Sequence, residues 1–526
     1  MLRIIIAFLI SDLFSQNVEN VFYDFSSHQG HTLKRGDLMW NEDWSSNGIF
    51  FDGTFSNFSS MYGPQIESNL FKSSFDSLEI DSIFTKSYFD YVQGDYFLDN
   101  LDLGINYTRM NRRVDLYAFK RRYAGLYNQY NKNSGLINPI HFTYIGKYYY
   151  KGVNDQLLVS LGNFNSDFGL FDSTDIAFLD SRITSSNVNY NLLHDSLDIK
   201  ISYHNFLQRL DSFHSSSLNN GVVYLTRTRL SSSVSLIKSK NFSYGILINY
   251  NKRSLDIDKT KTYGWNSFNV FLKNKNSQFY IGANSHEDRK YFIASGELNF
   301  KHKSFNSKLN VGRSLKPAHI LFTDIILFEQ KDNFWVENNL ILNKSKIGID
   351  FAFYKIDRDS IYMGLPKNGF NNWVFFYVNH SFPNDLFLHF GYSLVDNSDY
   401  VSDGIKNRLK IKVGNNFRLF SNAMSVHYSI SLDGYLNREN EYSLSPVEKF
   451  PFKADQISEL KDLWIPYFHL KCVVKNVEIT YEMNNVLNII YDSLGKSYND
   501  NQIIFNQYYP SASRMASLSI KWSFLN

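Results

Sequence analysis

Arg408, Lys410 and Lys412 alternate with Leu409, Ile411 and Val413. Successive side chains of an extended strand point to opposite faces, so the three cations share one face and the three apolar residues the other. The chemistry such a row offers is electrostatic, because like charges lining a water-filled passage set which ions and solutes enter it. On a lipid-facing row each cation would cost about 2–4 kcal/mol near the bilayer midplane, so the row is expected to face inward. Glu478 and Glu482 alternate with Val477, Ile479 and Tyr481 in the same way. They are expected to offset the cations from across the interior, giving mixed charge without strong net selectivity. The densest basic run is Arg109, Arg112, Arg113, Lys120, Arg121 and Arg122. It reads as an electropositive wall or, with more weight, as a solvated hairpin mouth touching lipopolysaccharide phosphates.

Covalent chemistry finds no purchase. The chain has no glycine-rich phosphate loop, Gly-x-Ser-x-Gly elbow, His-Glu-x-x-His pair or calcium loop. The single cysteine, Cys472, can neither close an internal disulfide nor build a cysteine-based metal cluster, and it lies too far along for a lipidated N-terminus. It reads as a small strand filler. His204, His389 and His427 stand singly on polar strand faces, where a histidine is usually solvated rather than a ligand. The many Ser and Asn leave a wall-mounted hydrolase open only as a minor reading. No catalytic residue, metal site or cofactor is expected, and the protein reads as a non-enzyme. A balance of 54 basic against 51 acidic residues, net +3, implies no nucleic-acid partner.

The elements that must carry these residues are strands. Leu101, Leu103, Ile105 and Tyr107 oppose Asp102 and Asn106; Leu197, Ile199, Ile201 and Tyr203 oppose Lys200 and His204. Tyr244, Ile246, Ile248 and Tyr250 oppose Gly245, Leu247 and Asn249, and Ile347, Ile349, Phe351 and Phe353 oppose Lys346 and Asp350. Leu388, Phe390 and Tyr392 oppose His389, and Val426, Tyr428, Ile430 and Leu432 oppose His427 and Asp433. The chain closes on Ala516, Leu518, Ile520, Trp522 and Phe524 against Ser517, Ser519, Lys521 and Ser523. The segments recur at roughly twenty-residue spacing, and many approach the nine to eleven residues that cross a bilayer at a tilt. Aromatics such as Tyr107, Tyr203, Tyr250 and Trp522 end the apolar rows, where interfacial girdles belong.

Composition agrees. Aromatic residues make up 17% of the chain, and it holds only 9 prolines. Average usage of about 5% would give roughly 26, and a chain of paired strands avoids proline. No apolar run long enough for a spanning helix follows the N-terminus. The expected fold is all-β: a single large transmembrane antiparallel up-and-down β-barrel of about 18–22 strands. A large extracellular sandwich or propeller is the minor alternative. A soluble barrel with the apolar rows inside would be too wide to fill.

Residues 1–15 read as a short secretory signal, with Arg3 before the apolar stretch Ile4 to Ile10 and cleavage after Ser15. A buried first strand is the other reading. Residues 16–81 are aromatic and glycine-rich but alternate poorly, and they read as a periplasmic or lumenal segment or as irregular first strands. Residues 82–526 read as the barrel. The long polar connections from Asp396 to Lys406 and from Asn437 to Lys461 are candidate extracellular loops.

Between Asn57 and Arg113 stand Tyr62-Gly63-Pro64-Gln65, then Phe84 to Asp90, then Tyr91-Val92-Gln93-Gly94, then a strand ending in Tyr107-Thr108-Arg109. This order resembles the putative porins of Bacteroidetes, in which a Tyr-Val-Gln-Gly turn precedes a strand ending in Tyr-x-Arg. Tyr509-Pro510, Arg514 and Trp522-x-Phe524 resemble the close of that family too, and TonB-dependent receptors share that closing pattern. The resemblance implies an outer-membrane barrel with a passive channel and carries over no catalytic residue. Trp522 and Phe524 resemble the terminal signal that barrel-assembly machinery recognises.

The expected function is therefore a porin-like channel of the bacterial outer membrane, passing small hydrophilic solutes. Its lining would comprise Asp102, Asn106, Lys200, His204, Lys346, Asp350, His389, Arg408, Lys410, Lys412, His427, Asp433, Glu478, Glu482 and Lys521. Its partners would be outer-membrane lipid, lipopolysaccharide and the assembly machinery. The alternative is a plugged or non-conducting barrel acting as a receptor, assembly or adhesion protein, or a TonB-dependent-receptor-like or lipid or hydrocarbon transporter. Residues 16–81 are too short for the separate plug domain of a TonB-dependent receptor.

Overall fold

Alternating apolar and polar side chains cannot satisfy a bilayer unless every backbone donor and acceptor pairs within the chain, and a closed sheet is the β-solution. The computed structural model describes residues 18–20, 32–34 and 37–39 and then 83–525. Within the latter it omits connecting segments, chiefly 133–138, 171–175, 216–219, 318–327, 359–365, 399–403, 448–450, 454–459 and 487–513, and a few shorter ones. The expected signal, residues 1–15, and most of 16–81 lie outside the described residues.

Near the N-terminus β1 (Val18–Asn20), β2 (Thr32–Lys34) and β3 (Asp37–Met39) form a small antiparallel sheet. The barrel starts with β4 (Ile83–Gly94), β5 (Leu98–Arg109), β6 (Arg112–Arg122) and β7 (Ile140–Lys151). Longer strands follow: β8 (Asp155–Gly169), β9 (Phe178–His194), β10 (Leu197–Phe213), β11 (Gly221–Ser239), β12 (Phe242–Asp256) and β13 (Thr260–Asn274). Next come β14 (Ser277–His286), β15 (Arg289–His302), β16 (Phe305–Pro317), β17 (Phe328–Leu342) and β18 (Ser345–Arg358). The series continues through β19 (Asn368–Ser381), β20 (Leu386–Ser398), β21 (Ile405–Leu419) and β22 (Met424–Arg438). A small hairpin, β23 (Tyr442–Leu444) with β24 (Pro451–Lys453), stands apart from the wall. The wall ends with β25 (Leu463–Val474), β26 (Val477–Asn484) and β27 (Met515–Leu525).

Each wall strand pairs antiparallel with its neighbours in the chain, and β27 pairs with β4, so 22 strands form one closed up-and-down barrel. The even count sits at the top of the expected range. Tight turns such as Met110–Asn111, Asp195–Ser196 and Lys475–Asn476 gather at one end with both barrel termini. The long connections gather at the other end, including those after β20 and β22 that the sequence marks as loops.

The outer face carries the apolar rows. Ile105, Ile248, Val270, Ile281, Val311, Ile430 and Leu518 are all exposed, as are Trp522 and Phe524. Exposed apolar side chains in a continuous belt around a closed sheet face lipid rather than water. The architecture is that of a bacterial outer-membrane barrel.

Tyr91-Val92-Gln93-Gly94 departs from expectation. It is the end of β4, not a turn; the turn is Asp95–Phe97. Gly94 has a local reason. A Cβ there would lie 2.6 Å from the carbonyl oxygen of Ala516 on the closing strand. The β27–β4 seam thus requires a bare backbone at this position.

Candidate functional site: the lumenal wall

Register decides which side chains face inward. Lys412 lies opposite His389 on one side and Ser431 on the other, and Lys410 lies between Gly391 and Asp433. Arg408 continues the row opposite Ser393 and Tyr435. The interleaved Leu409, Ile411 and Val413 share the lipid face with Tyr392, Phe390 and Leu388. The cationic row is therefore inward, as its chemistry requires. Arg408 is buried and donates to the Ile405 carbonyl at 3.4 Å, whereas Lys410 stands open.

The carboxylates do not answer from across the interior. β21 and β26 are separated only by β22 and β25, so Glu478 and Glu482 lie along the same arc as the lysines. Connectivity causes this, because strands near in the chain are near in the wall. Glu478 meets Lys471 at 2.5 Å and lies opposite Lys521, and Glu482 lies 3.9 Å from the His469 ring. Lys521 reaches over the Tyr88 ring at 5.3 Å.

Two of the three singled-out histidines come into one neighbourhood. His389 contacts Asn379, and His427 contacts Asn416 and stacks on Phe387 at 5.6 Å. His469, which sequence reading misses, meets His427 edge-on at 5.4 Å. Its signal was the alternation of His469 and Lys471 with Leu470 and Cys472, obscured by Pro466. Among the described residues no group of three His, Cys, Asp or Glu is arranged to hold a metal ion. His204 stands apart on β10, buried between Asn187 and Arg229.

The remaining predicted residues also face inward. Asp102 accepts from the Tyr88 hydroxyl at 3.2 Å. Asn106 donates to Asp115 at 2.9 Å and to the Tyr117 hydroxyl at 2.7 Å, and Arg113 donates to Asp115 at 2.6 Å. Asp350 is buried and accepts from the Asn338 backbone at 3.2 Å; Lys346 lies 5.5 Å from the Tyr377 ring centre. Lys200, near the tight-turn end, pairs with Asp198 at 3.0 Å. The basic run around β6 divides. Arg109 and Arg112 flank a tight turn, Arg113 and Arg121 face inward, and Lys120 pairs outward with Asp99 at 3.7 Å.

Sequence reading also misses Arg227, Arg229 and Arg253. In Thr226-Arg227-Thr228-Arg229 both faces are polar, so hydropathy gives no sign of which side is inside.

No family model matches the chain, and no curated protein matches it in sequence. Solved structures do match. The ferric enterobactin receptor PfeA from Pseudomonas aeruginosa, in complex with enterobactin, aligns with a TM-score of 0.64 at 9% identity, covering 85% of this chain and 82% of that one. The FrpB iron transporter from Neisseria meningitidis, in its apoprotein form, gives 0.62 at 8% identity over 86% of this chain and 83% of its own. The siderophore receptor PirA from Acinetobacter baumannii gives 0.62 at 8% identity, covering 84% and 81%. The likeness is one of fold. The wall that holds the lumenal residues is shaped like those of iron and siderophore receptors, at sequence identities that carry no residue roles across.

Proposed function

We propose that the protein is an outer-membrane receptor-type transporter for a small solute, with a lumen closed at rest, rather than a passive diffusion channel. One observation carries this reading. Thr108, Asp115, Arg121, His141 and Asn371 all point inward, yet each is 0% exposed. Side chains on the wall of an open barrel this wide stay wet, and barrels of 22 strands enclose a plugged lumen. The burial extends around the wall, to Arg253 and Ile465 at 1%. Release then needs a rearrangement that frees the lumen, which makes the protein TonB-dependent-receptor-like in action. The structural neighbours, an iron transporter and siderophore receptors, support the reading.

Planar-bilayer recording tests it. The full chain should insert without steady conductance. Steady large steps from the wild-type protein would return the passive channel, the second reading, which the open side chains of Lys410, Lys273 and Asn299 favour.

A further inference from the structure

The inward faces of β21 and β22 set two ammonium groups beside a carboxylate without joining them. Lys410 lies directly opposite Asp433, and Lys412 follows two residues on in the same inward row. Among the described residues neither ammonium forms an ion pair or a hydrogen bond. Asp433 Oδ1 is withdrawn from solvent, yet no donor among the described residues reaches it. A buried acceptor without a donor is costly, and so rare that it calls for a reason. Register has already brought its natural partner to the facing position, so distance along the chain is not that reason. Lys410 itself is open to the lumen.

His389 completes the group. It lies opposite Lys412 on β20, and its Nδ1 donates to the amide oxygen of Asn379, an atom that can only accept. In the neutral ring Nε2 is then a lone-pair acceptor. Nε2 stands 3.7 Å from the place a Cβ of Gly391 would take, and Gly391 is the residue opposite Lys410. The ring thus reaches from the level of Lys412 to that of Lys410, over a bare backbone. Two ammonium groups therefore adjoin two acceptors, Asp433 Oδ1 and His389 Nε2. Lys412 is also within electrostatic reach of Glu482 and of the His427 and His469 rings, while Glu478 is engaged by Lys471.

Ammonium donors alone would suit any anion. The two acceptors among them repel an anion that carries only lone pairs, as sulfate does at neutral pH, and the ammonium groups repel a metal cation. An oxyanion that keeps a hydroxyl meets both demands at once. Lysine serves such a tetrahedral anion as a point charge, without the planar fork that arginine offers a carboxylate. We infer that Lys410, Lys412, Asp433 and His389 form a lumenal binding site for inorganic phosphate in its hydroxyl-bearing forms. The charged oxygens accept from the two lysines, and the hydroxyls donate to Asp433 and His389. The inference rests on the receptor-type reading for entry of a small solute into the lumen, and it names the chemistry of that solute.

Isothermal titration calorimetry on the full-length chain in detergent tests the site, with heat-modifiable gel migration confirming that each barrel has assembled. Inorganic phosphate should bind the wild type saturably, and sulfate at matched ionic strength and neutral pH about tenfold or more weakly. Lys410→Gln/Lys412→Gln should weaken phosphate by about tenfold or more, the factor expected from losing a charge-assisted hydrogen bond. If that chain does not assemble, Lys410→Gln alone, at an open position, should weaken phosphate by several-fold. Asp433→Asn replaces an acceptor by an amide that can also donate, so it should narrow or reverse the preference for phosphate over sulfate. A merely structural aspartate would not move that ratio. Phosphate that fails to bind, or binds no better than sulfate, overturns the site, as do lysine variants that bind like wild type or an Asp433→Asn chain with an unchanged ratio. Each of these failures leaves the closed-lumen reading standing, because that reading is decided by conductance. A wild-type chain that conducts steadily overturns the closed lumen and leaves a measured phosphate site in place.

Discussion

Asp95 and Ala516 hold each other twice across the closing seam. The Asp95 backbone N–H donates to the Ala516 carbonyl at 2.9 Å, and the Ala516 N–H donates to the Asp95 carboxylate at 2.9 Å. The seam ladder of β27 with β4 runs only from Ser517 opposite Gly94 to Leu525 opposite Lys86, so this clasp extends it where the turn begins. Asp95→Ala should lower barrel stability by about 1 kcal/mol, the usual worth of one net hydrogen bond in a partly exposed setting. Urea unfolding from lipid vesicles measures this. An unchanged midpoint would show that the carboxylate does not support the seam.

Ile248 and Leu247 are chain neighbours on opposite faces, Ile248 51% exposed on the lipid side and Leu247 turned to the lumen. Ile248→Arg should destabilise by about 2–4 kcal/mol, the cost of a guanidinium near the midplane. Leu247→Arg should cost much less, because water reaches its side. Equal losses at the two positions, measured by the same unfolding assay, would contradict the assigned facing.

Tyr377 lies across Gly348, where an added Cβ would stand 2.2 Å from the ring. Gly348→Ala must displace the ring and should cost about 1–3 kcal/mol by overpacking. Adding Tyr377→Ala should recover part of that loss, since the obstruction is gone. Strict additivity of the two changes in a double-mutant cycle would mean that the ring and the glycine do not interact.

Lys410 is open to the lumen opposite Asp433. In the closed chain Lys410→Glu should leave conductance absent. Wherever a channel current is recorded, the same change should shift reversal potentials towards cation selectivity, because a like-charge row sets pore preference. No shift would put Lys410 away from the path that ions take.

The lipid face is legible in sequence because lipid tolerates few exceptions. Leu101 to Tyr107 and Ala516 to Phe524 alternate apolar with polar residues, and that parity alone assigns their facing. The lumen imposes no such rule. Its residues answer to partners brought close by register, as Asn106 meets Asp115 and His427 meets His469, and a single strand does not announce its neighbour. Above the apolar belt parity fades as well, which hides Arg227 and Arg229 within a run polar on both faces. The expected opposition of Lys410 and Glu482 fails for a topological reason: in an up-and-down wall, a modest separation in sequence means the same arc.

The strands are of unequal height. β9, β10 and β11 run for 17, 17 and 19 residues, against 8 for β26 and 11 for β27. At about 3.3 Å per residue and a tilt near 45°, β11 rises roughly 45 Å and β26 roughly 20 Å. The tops of the described strands therefore form a ramp, low at β26 and β27 and high at β9 to β11. The strand wall alone therefore ends on a slant, reaching furthest from the bilayer on the flank that faces the closing seam.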